Sequence, residues 1–459
     1  GLTNDTTASK ITLSVGGKAP TNATKELSKK KLEEDQVVGN ITYKANGDIY
    51  YPINGVSTKV GERYQLVVTG LDQKDGDNYS GIMKMSFAAN LITDKSGNGN
   101  IAKTITIGID DPSDGPYMPT GFTRVAGTSL ENGYTVQDSK GNQYVWVEVP
   151  KTADVYQTAG LGITEFTTDE YTKIENDLHT YTSAYRLDGY TDEWGSQDAT
   201  GLTSNQYTEL KQKMLRSVYQ NGGFYIGKYE TGIEDAPRTS GSATTMPTET
   251  PVIKQNAYPY NYVTSSQAQT LASGFAADLN GYTSSLLFGV QWDLTLKYLE
   301  TKGATQAELN EDSTNLGNYY NNLWNITNPN SKYSTDWGAN WTSGAYGQKS
   351  SSKGILLSTG ASDTFSKQGI YDLAGNVFEW TLEASSSSGR ARRGGGCNAT
   401  GRSTAGYRYF SYPTDTIADV GSRVALYKDP VVVDVVSPVW KVQNININKA
   451  NKKVTAELV

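Results

Sequence analysis

Cys397 and His179 are the chain's single cysteine and single histidine, and they limit its chemistry sharply. One thiol allows no intrachain disulfide, no Cys-x-x-Cys pair and no thiolate zinc site. One imidazole excludes a metal centre with several His ligands, and a Ser/His or Cys/His machine would have to use that residue. His179 lies in "IENDLHTYTSAY", a polar stretch of helical spacing, where a solvated surface histidine is expected. A second concentration of chemistry is cationic. Residues 390–427 hold six of the eleven arginines and none of the thirty lysines, and also lack Glu, Gln, Met, His and Trp. Within this stretch Arg402 and Arg408 have the means to pair with carboxylates or stack on rings. Its Tyr, Ser, Gly and Asn supply rigid contact area and adaptable hydrogen bonds, a composition suited to recognition.

The bulk numbers bound what positions these groups. At 459 residues the chain is too long for one ordinary core, and two or three domains are expected. Thirty-one Tyr against nine Phe, 47 Gly and a negative mean hydropathy indicate a soluble, β-rich, loop-rich protein. A formal charge of -7 argues against a nucleic-acid surface. No apolar run approaches the roughly 18 residues of a membrane span, so no membrane insertion is expected. No signal peptide is visible, and a chain opening "GLTNDTTASK" reads as a fragment or a trimmed product.

Residues 1–110 alternate in short segments, "KITLSV", "GNITYKA", "RYQLVVTGL", "IMKMSFAA" and "KTITIGI", separated by Gly, Asn and Asp turns. That period predicts an antiparallel β-sandwich. The charged run "TKELSKKKLEEDQ" is expected as a solvated loop or short helix. "IDDPSDGPYMPTG" reads as a linker. From 430 to 459 a second linker precedes two alternating segments that look like the first strands of a further, truncated sandwich. Between them, 111–429 is mixed. A hairpin is expected in "GYTVQDSKGNQYVWVEVP", a strand in "GGFYIGKYETG", and helices in "TTDEYTKIENDLHTYTSAY", "TSNQYTELKQKMLRSVYQNGG", "TSSQAQTLASGFAADL" and the end of "SSLLFGVQWDLTLKYLETKG". The third helix would be capped by Thr264, Ser265 or Ser266. Residues 303–369 show little periodicity, as in a scaffold that presents loops.

Three ordered motifs, "GIYDLAGNVFEWTLE" (369–383), "RRGGG" (392–396) and "VGSRVALY" (420–427), resemble the signature of formylglycine-generating enzyme-type domains. The likeness extends upstream through "FYIGKYE" and "SSQAQTLASGF" and covers about 115–428. It implies a C-type-lectin fold, α+β, with two helices, a small mixed sheet and long loops converging on one face. The N-terminal module resembles, in general terms, the immunoglobulin-like domains of secreted bacterial and phage proteins. The family's oxidising enzymes use two cysteines after the Arg-Gly-Gly segment to bind copper. Here Ala399 matches the first, the second is absent, and Cys397 stands where an aromatic is usual. The resemblance therefore points away from catalysis and to the family's binding branch, with no cofactor required.

The segment 390–427 further resembles the variable region of proteins diversified by retroelements, in which mutation of adenines excludes Lys, Glu, Gln, Met and Trp. The framework would be "RRGG", "YR", "YPT", "VG" and "RVALY". The variable, ligand-contacting positions would be Cys397, Asn398, Ala399, Arg402, Ser403, Thr404, Gly406, Tyr409, Phe410, Ser411, Asp415, Ile417, Ala418, Asp419 and Ser422. A small-residue loop of chance composition is the competing reading. Leu373, Val377, Trp380, Val424 and Leu426 are candidate core. Arg408 belongs to the framework, while Arg423 and Glu379 are either an ion pair fixing the last strand or two separately solvated charges. Trp337 and Trp341 are expected in the core rather than at the edge of the face. The resemblance also implies a calcium position, with side-chain oxygens from Asp372 and Glu379 and carbonyls from Gly375 and Val377. A plain turn is the alternative. Together these readings predict a receptor- or ligand-binding protein, not an enzyme. Its partner would be a protein or glycan on a cell surface, met outside the cell by a phage virion or a bacterial surface, with further immunoglobulin-like modules on a longer chain. An oxidase relative with altered chemistry and a structural virion decoration protein are the alternatives.

Overall fold

The computed structural model describes residues 10–15, 19, 23–32, 34–38, 40–69, 81–88, 103–109, 116–163, 165–385, 389–400, 404–429, 442–448 and 453–458. The chain divides into two compact units, Gly1–Tyr117 with Val431–Val459, and Met118–Pro430. Both are β-rich, and no helix among the described residues is long and apolar enough to cross a membrane. Of the two stretches expected as linkers, 109–121 and 428–440, residues 110–115 and 430–440 lie outside the described residues.

In the first unit the alternating segments form antiparallel ladders. Thr12–Val15, Gly81–Phe87 and Lys103–Ile109 make one sheet. The first half of the charged run expected as loop or helix is instead a strand, Thr24–Lys29, paired along its length with Tyr64–Thr69, while the described residues of 30–35 are irregular. The physical reason lies in its period of two: Thr24, Glu26 and Ser28 face solvent, while Lys25, Leu27 and Lys29 share the inward face, Leu27 buried and the two lysines half-buried. The C-terminal strands Val442–Asn448 and Lys453–Leu458 do not begin a separate sandwich. The second pairs with Tyr64–Thr69 and extends the same sheet.

The second unit builds around a six-stranded antiparallel sheet and a smaller one. The predicted hairpin is present: Thr135–Gln137 pairs with β1 (Gln143–Glu148) across a turn held by Asp138. Helix α1 (Thr168–Tyr181) starts at Thr167. Helix α2 (Ser204–Asn221) opens with a Thr203–Gln206 capping box and stops at Gly222, whose φ of 72° is left-handed. Strand β2 (Gly223–Gly227) follows, then α3 (Ser265–Gly274), capped by Thr264. Strand β3 (Tyr282–Leu286) leads into α4 (Gly289–Thr301), which is buried on nearly every side, with Trp292, Leu294 and Leu296 in the core. The loop-rich stretch 303–369 holds short strands, turns, one short helix, Gln306–Asn310, and a 3-10 turn, Asp363–Phe365. Then come β4 (Phe378–Ala384), β5 (Arg390–Arg393), β6 (Arg408–Ser411), β7 (Val420–Ser422) and β8 (Val424–Lys428).

The large sheet runs Thr123–Arg124, Thr135–Gln137, β1, β2, β8, β3. The small sheet runs β6, β5, β4, β7, with only β4 and β7 parallel. Strand β8 is thus central to one sheet while its neighbour in sequence, β7, closes the other. The expected core residues Leu373, Val377, Trp380, Val424 and Leu426 are all buried there.

Candidate binding face and its buried ionic frame

The small sheet is stitched together by arginines. Arg393 on β5 donates to Asp293 Oδ1 (2.7 Å) and Glu383 Oε2 (3.0 Å). Arg408 on β6 donates to Asp293 Oδ2 (2.6 Å) and Glu383 Oε1 (2.7 Å). Each carboxylate oxygen of the square receives one N–H, and the two charges of each sign cancel. All four side chains are nearly inaccessible to solvent. A buried charge is tolerable only when paired and hydrogen-bonded in this way. Burial pushes the Glu383 carboxyl up, but the two guanidinium groups outweigh it and hold the group below the ordinary carboxylate value. The square joins α4, β4, β5 and β6, so it fixes the edge hairpin to the core.

Three more arginines are buried in the same region. Arg423 donates Nη2 to Glu379 Oε1 (2.7 Å) and Nη1 to the Gly227 carbonyl (2.8 Å), and both members of the ion pair are buried. Of the two readings open for this pair, the ion pair is the one observed. Arg390 donates to the carbonyls of Glu193, Leu382 and Trp194. Arg392 packs against two adjoining rings, its guanidinium carbon 4.5 Å from the Phe378 centroid and 4.6 Å from that of Tyr409. All five described arginines of 390–427 are therefore buried, and four are committed to carboxylates or carbonyls. The excess of Arg over Lys needs no special mutational history at those positions, because a forked donor makes bonds that an ammonium cannot. The glycines after them serve the same packing. Gly394 has φ 84°, and a Cβ there would meet the Leu373 carbonyl oxygen at 2.8 Å.

The two side chains expected to hold calcium, Asp372 and Glu379, do not fit that ion. Both oxygens of Glu379 are taken by Arg423, whose positive charge would repel a cation at the same carboxylate. Asp372 Oδ2 accepts from the Gly360 N–H (2.6 Å), and burial pushes its carboxyl up to about 7. The Gly375 N–H donates to the Gly394 carbonyl, and that of Val377 to Glu230 Oε1. The segment is a turn locked by protein partners, with Glu230 as a buried acceptor that nothing in its sequence context signalled. His179 is also not the solvated residue expected: Glu175, His179 and Asp192 bring three potential ligand atoms within 4.8 Å of one another. Lys211 Nζ lies 3.1 Å from Glu175, and Asp192 caps α4 by accepting from Gly289 (2.6 Å) and Val290 (2.9 Å). These carboxylates already balance a lysine and a helix terminus.

The candidate variable positions divide by burial. Tyr409 and Phe410 are exposed, whereas Asn398, Ala399, Thr404, Gly406, Asp415 and Ile417 are half-buried. Cys397, Ser411, Ala418, Asp419 and Ser422 are buried and cannot serve as freely exposed contact positions, while Arg402 and Ser403 lie outside the described residues. Cys397 packs against Leu356 and Val377, and burial pushes its thiol well above the ordinary value, opposite to what a reactive cysteine needs. Strand alternation also separates neighbours. Tyr409 stands opposite Arg392, and Phe410 opposite Ala391, so the two rings leave the edge strand on opposite faces. On the Phe410 side, an open depression of about 860 Å³ is bordered by Arg186, Leu187, Asn310, Thr404, Gly406 and Arg408. On the Tyr409 side, a small cleft is lined by Trp337, Asn398, Ala418 and Asp419.

Trp337 overturns the expectation of a core residue. It is 56 % exposed, and its φ of 65° is left-handed, a conformation in which a bulky side chain is strained. The turn is enforced by hydrogen bonds from the Gly338 N–H to Ser334 Oγ (2.8 Å) and from the Asn340 N–H to Asp336 Oδ1 (2.9 Å). Trp341, by contrast, is half-buried against the Leu356–Val377–Cys397 cluster. Tyr412, 63 % exposed, was grouped with the framework in sequence and emerges as surface.

No protein-family model matches the chain, and no curated protein matches it either. Solved structures similar to it include the following two. One is Treponema denticola variable protein 1, with 18% sequence identity and a TM-score of 0.26, covering 46% of this chain and 85% of that one. The other is PvdO from Pseudomonas aeruginosa, with 17% identity and a TM-score of 0.26, covering 45% of this chain and 81% of that one. At such scores function has to be argued from the residues themselves.

Proposed function

We propose that this chain is a non-enzymatic ligand-binding protein whose larger unit is a C-type-lectin-type display domain carried beside an immunoglobulin-like unit. The observation that carries the reading is the separation of stability from contact. Charge-neutral arginine pairs and a fully buried β4 hold the small sheet, while Trp337 and Tyr409 present aromatic surface at its edge. A frame of that kind lets surface positions change at about 0.5 kcal/mol or less each. Trp and Tyr offer large, rigid contact area to a partner protein. The partner would be met outside a cell, by a virion or a bacterial surface, and retroelement diversification would act on the exposed and half-buried subset: Asn398, Ala399, Thr404, Gly406, Tyr409, Phe410, Asp415 and Ile417.

The test is a binding survey of the full chain on intact bacterial cells, paired with a variant carrying Trp337→Ser, Asn398→Ser and Tyr409→Ser. The expected result is unchanged unfolding and lost attachment. Attachment that survives the triple variant would favour a structural decoration role, and copper-dependent oxidation of a cysteine peptide by the purified chain would restore the enzyme alternative. A near-copy of the coding segment, differing at adenines and lying beside a reverse transcriptase gene, tests diversification separately.

A further inference from the structure

Arg392 is the one described arginine of 390–427 without a protein acceptor. Only 9 % of it is exposed, and neither Nε nor Nη1 has a hydrogen-bond partner. Among the described residues it forms no ion pair, although the charges of Asp419 and Asp415 are close enough to be felt. Phe378 and Tyr409, themselves in ring contact at 5.9 Å, both lie against it, and Nε and Nη1 are the unfilled donors. Arg390 and Arg393 in the same strand also leave Nε unpaired, but their Nη groups reach carbonyls or carboxylates, whereas Arg392 reaches none. A buried guanidinium with unmade bonds is costly unless something else supplies the acceptor.

We propose that Arg392 is the anchor of the binding face and takes the side-chain carboxylate of an acidic residue on a partner protein. This rests on the function proposed above and names the chemistry of its ligand. Three observations select it. The donors point to an anionic acceptor, since charge-assisted bonds to a carboxylate are the strongest a guanidinium makes. Tyr409 is half-exposed and in contact with the guanidinium, so the residue at 409 borders the approach to it. The surrounding face has the Trp, Tyr and Arg make-up of a protein–protein hot spot: a Cβ at Gly396 would touch both Phe378 and Asp419 Oδ2, and Asp419 shares its cleft with Asn398 and Trp337. Asp419 is the internal competitor, displaced as counter-charge when the partner's carboxylate arrives.

The experiment uses the full chain labelled with ¹⁵N at arginine. Eleven Nε–H signals are expected, and the Arg392 signal is assigned by its absence in Arg392→Lys and Arg392→Gln. N-acetylglutamate α-amide is titrated in, with the glutamine counterpart as the neutral control and glucuronate as an acidic sugar. The expected result is a saturable downfield shift of the Arg392 signal with the glutamate probe alone, and tighter binding in Asp419→Asn. Absence of a saturable shift overturns the proposal, as does an equal response to the glutamine probe. So does unchanged or weaker binding in Asp419→Asn, which would make Arg392 a mere counter-ion. A preference for glucuronate overturns the protein ligand in favour of an acidic glycan. If Arg392 stays silent while the Trp337, Asn398 and Tyr409 triple variant still loses attachment to cells, the proposed function stands and this inference falls.

Discussion

Replacing Arg408 by Met tests whether the ionic square is the frame of the site. In the native protein Arg408 supplies N–H groups to Asp293 (2.6 Å), Glu383 (2.7 Å) and the Tyr185 carbonyl (2.7 Å). Methionine matches much of its volume but leaves two buried carboxylates facing Arg393 alone. Removing one partner of a buried ion pair typically costs about 3–5 kcal/mol, because the remaining charge is uncompensated. Neutrality is the decisive quantity, so Glu383→Gln added to Arg408→Met should recover a substantial part of that loss. Guanidinium unfolding followed by Trp fluorescence is the assay. Seven of the eight tryptophans lie between residues 118 and 430, so the signal reports the unit that contains the square. A loss under about 1 kcal/mol in the single variant would refute the reasoning, that being the scale of an exposed pair. So would a double variant less stable than the single one.

Further expectations follow from the same geometry. Asp372→Asn should raise the melting temperature at pH 8 and have little effect at pH 4. The folded-state pKa of Asp372 is raised to about 7 from 3.8, so the folded protein holds the proton more tightly and its stability falls as pH climbs between those values. Asn also tolerates the left-handed φ of 54° at that position, and a lower melting temperature at pH 8 would contradict the claim. Trp337→Gly should leave stability unchanged or raise it by up to about 1 kcal/mol by removing strain, while weakening attachment. A clear loss of stability would show that the indole packs more than its exposure indicates. Cys397 should resist a thiol reagent such as Ellman's until the protein unfolds, and rapid reaction of the native chain would reopen the oxidase alternative.

Local patterns were legible because their causes are local. The cap of the 265–274 helix and the hairpin turn after Gln137 depend on residues within a few positions: the structure selects Thr264 from the three candidates and closes the hairpin as expected. The strand at Thr24–Lys29 was not legible, since its charges mask a single inward Leu27 and its partner lies some forty residues away. The same limit applied to the C-terminal strands. Their alternation is plain in sequence, but their pairing with Tyr64–Thr69 is a choice between distant edges.

For the site, composition alone was enough to exclude multi-histidine metal chemistry and paired-cysteine chemistry, because absent residues cannot be restored by folding. It also marked 390–427 as unusual. Only tertiary structure decided what the arginines do there. Asp293 is a hundred residues from Arg393, and whether a guanidinium meets a carboxylate, a carbonyl or nothing depends on which strands lie together. The same folding turned Glu379 from an expected metal ligand into the partner of Arg423, buried Cys397, exposed Trp337 and left Arg392 against two adjoining rings with Nε and Nη1 unfilled. Identity and spacing set which groups are present, whereas burial and pairing are properties of contacts between distant segments.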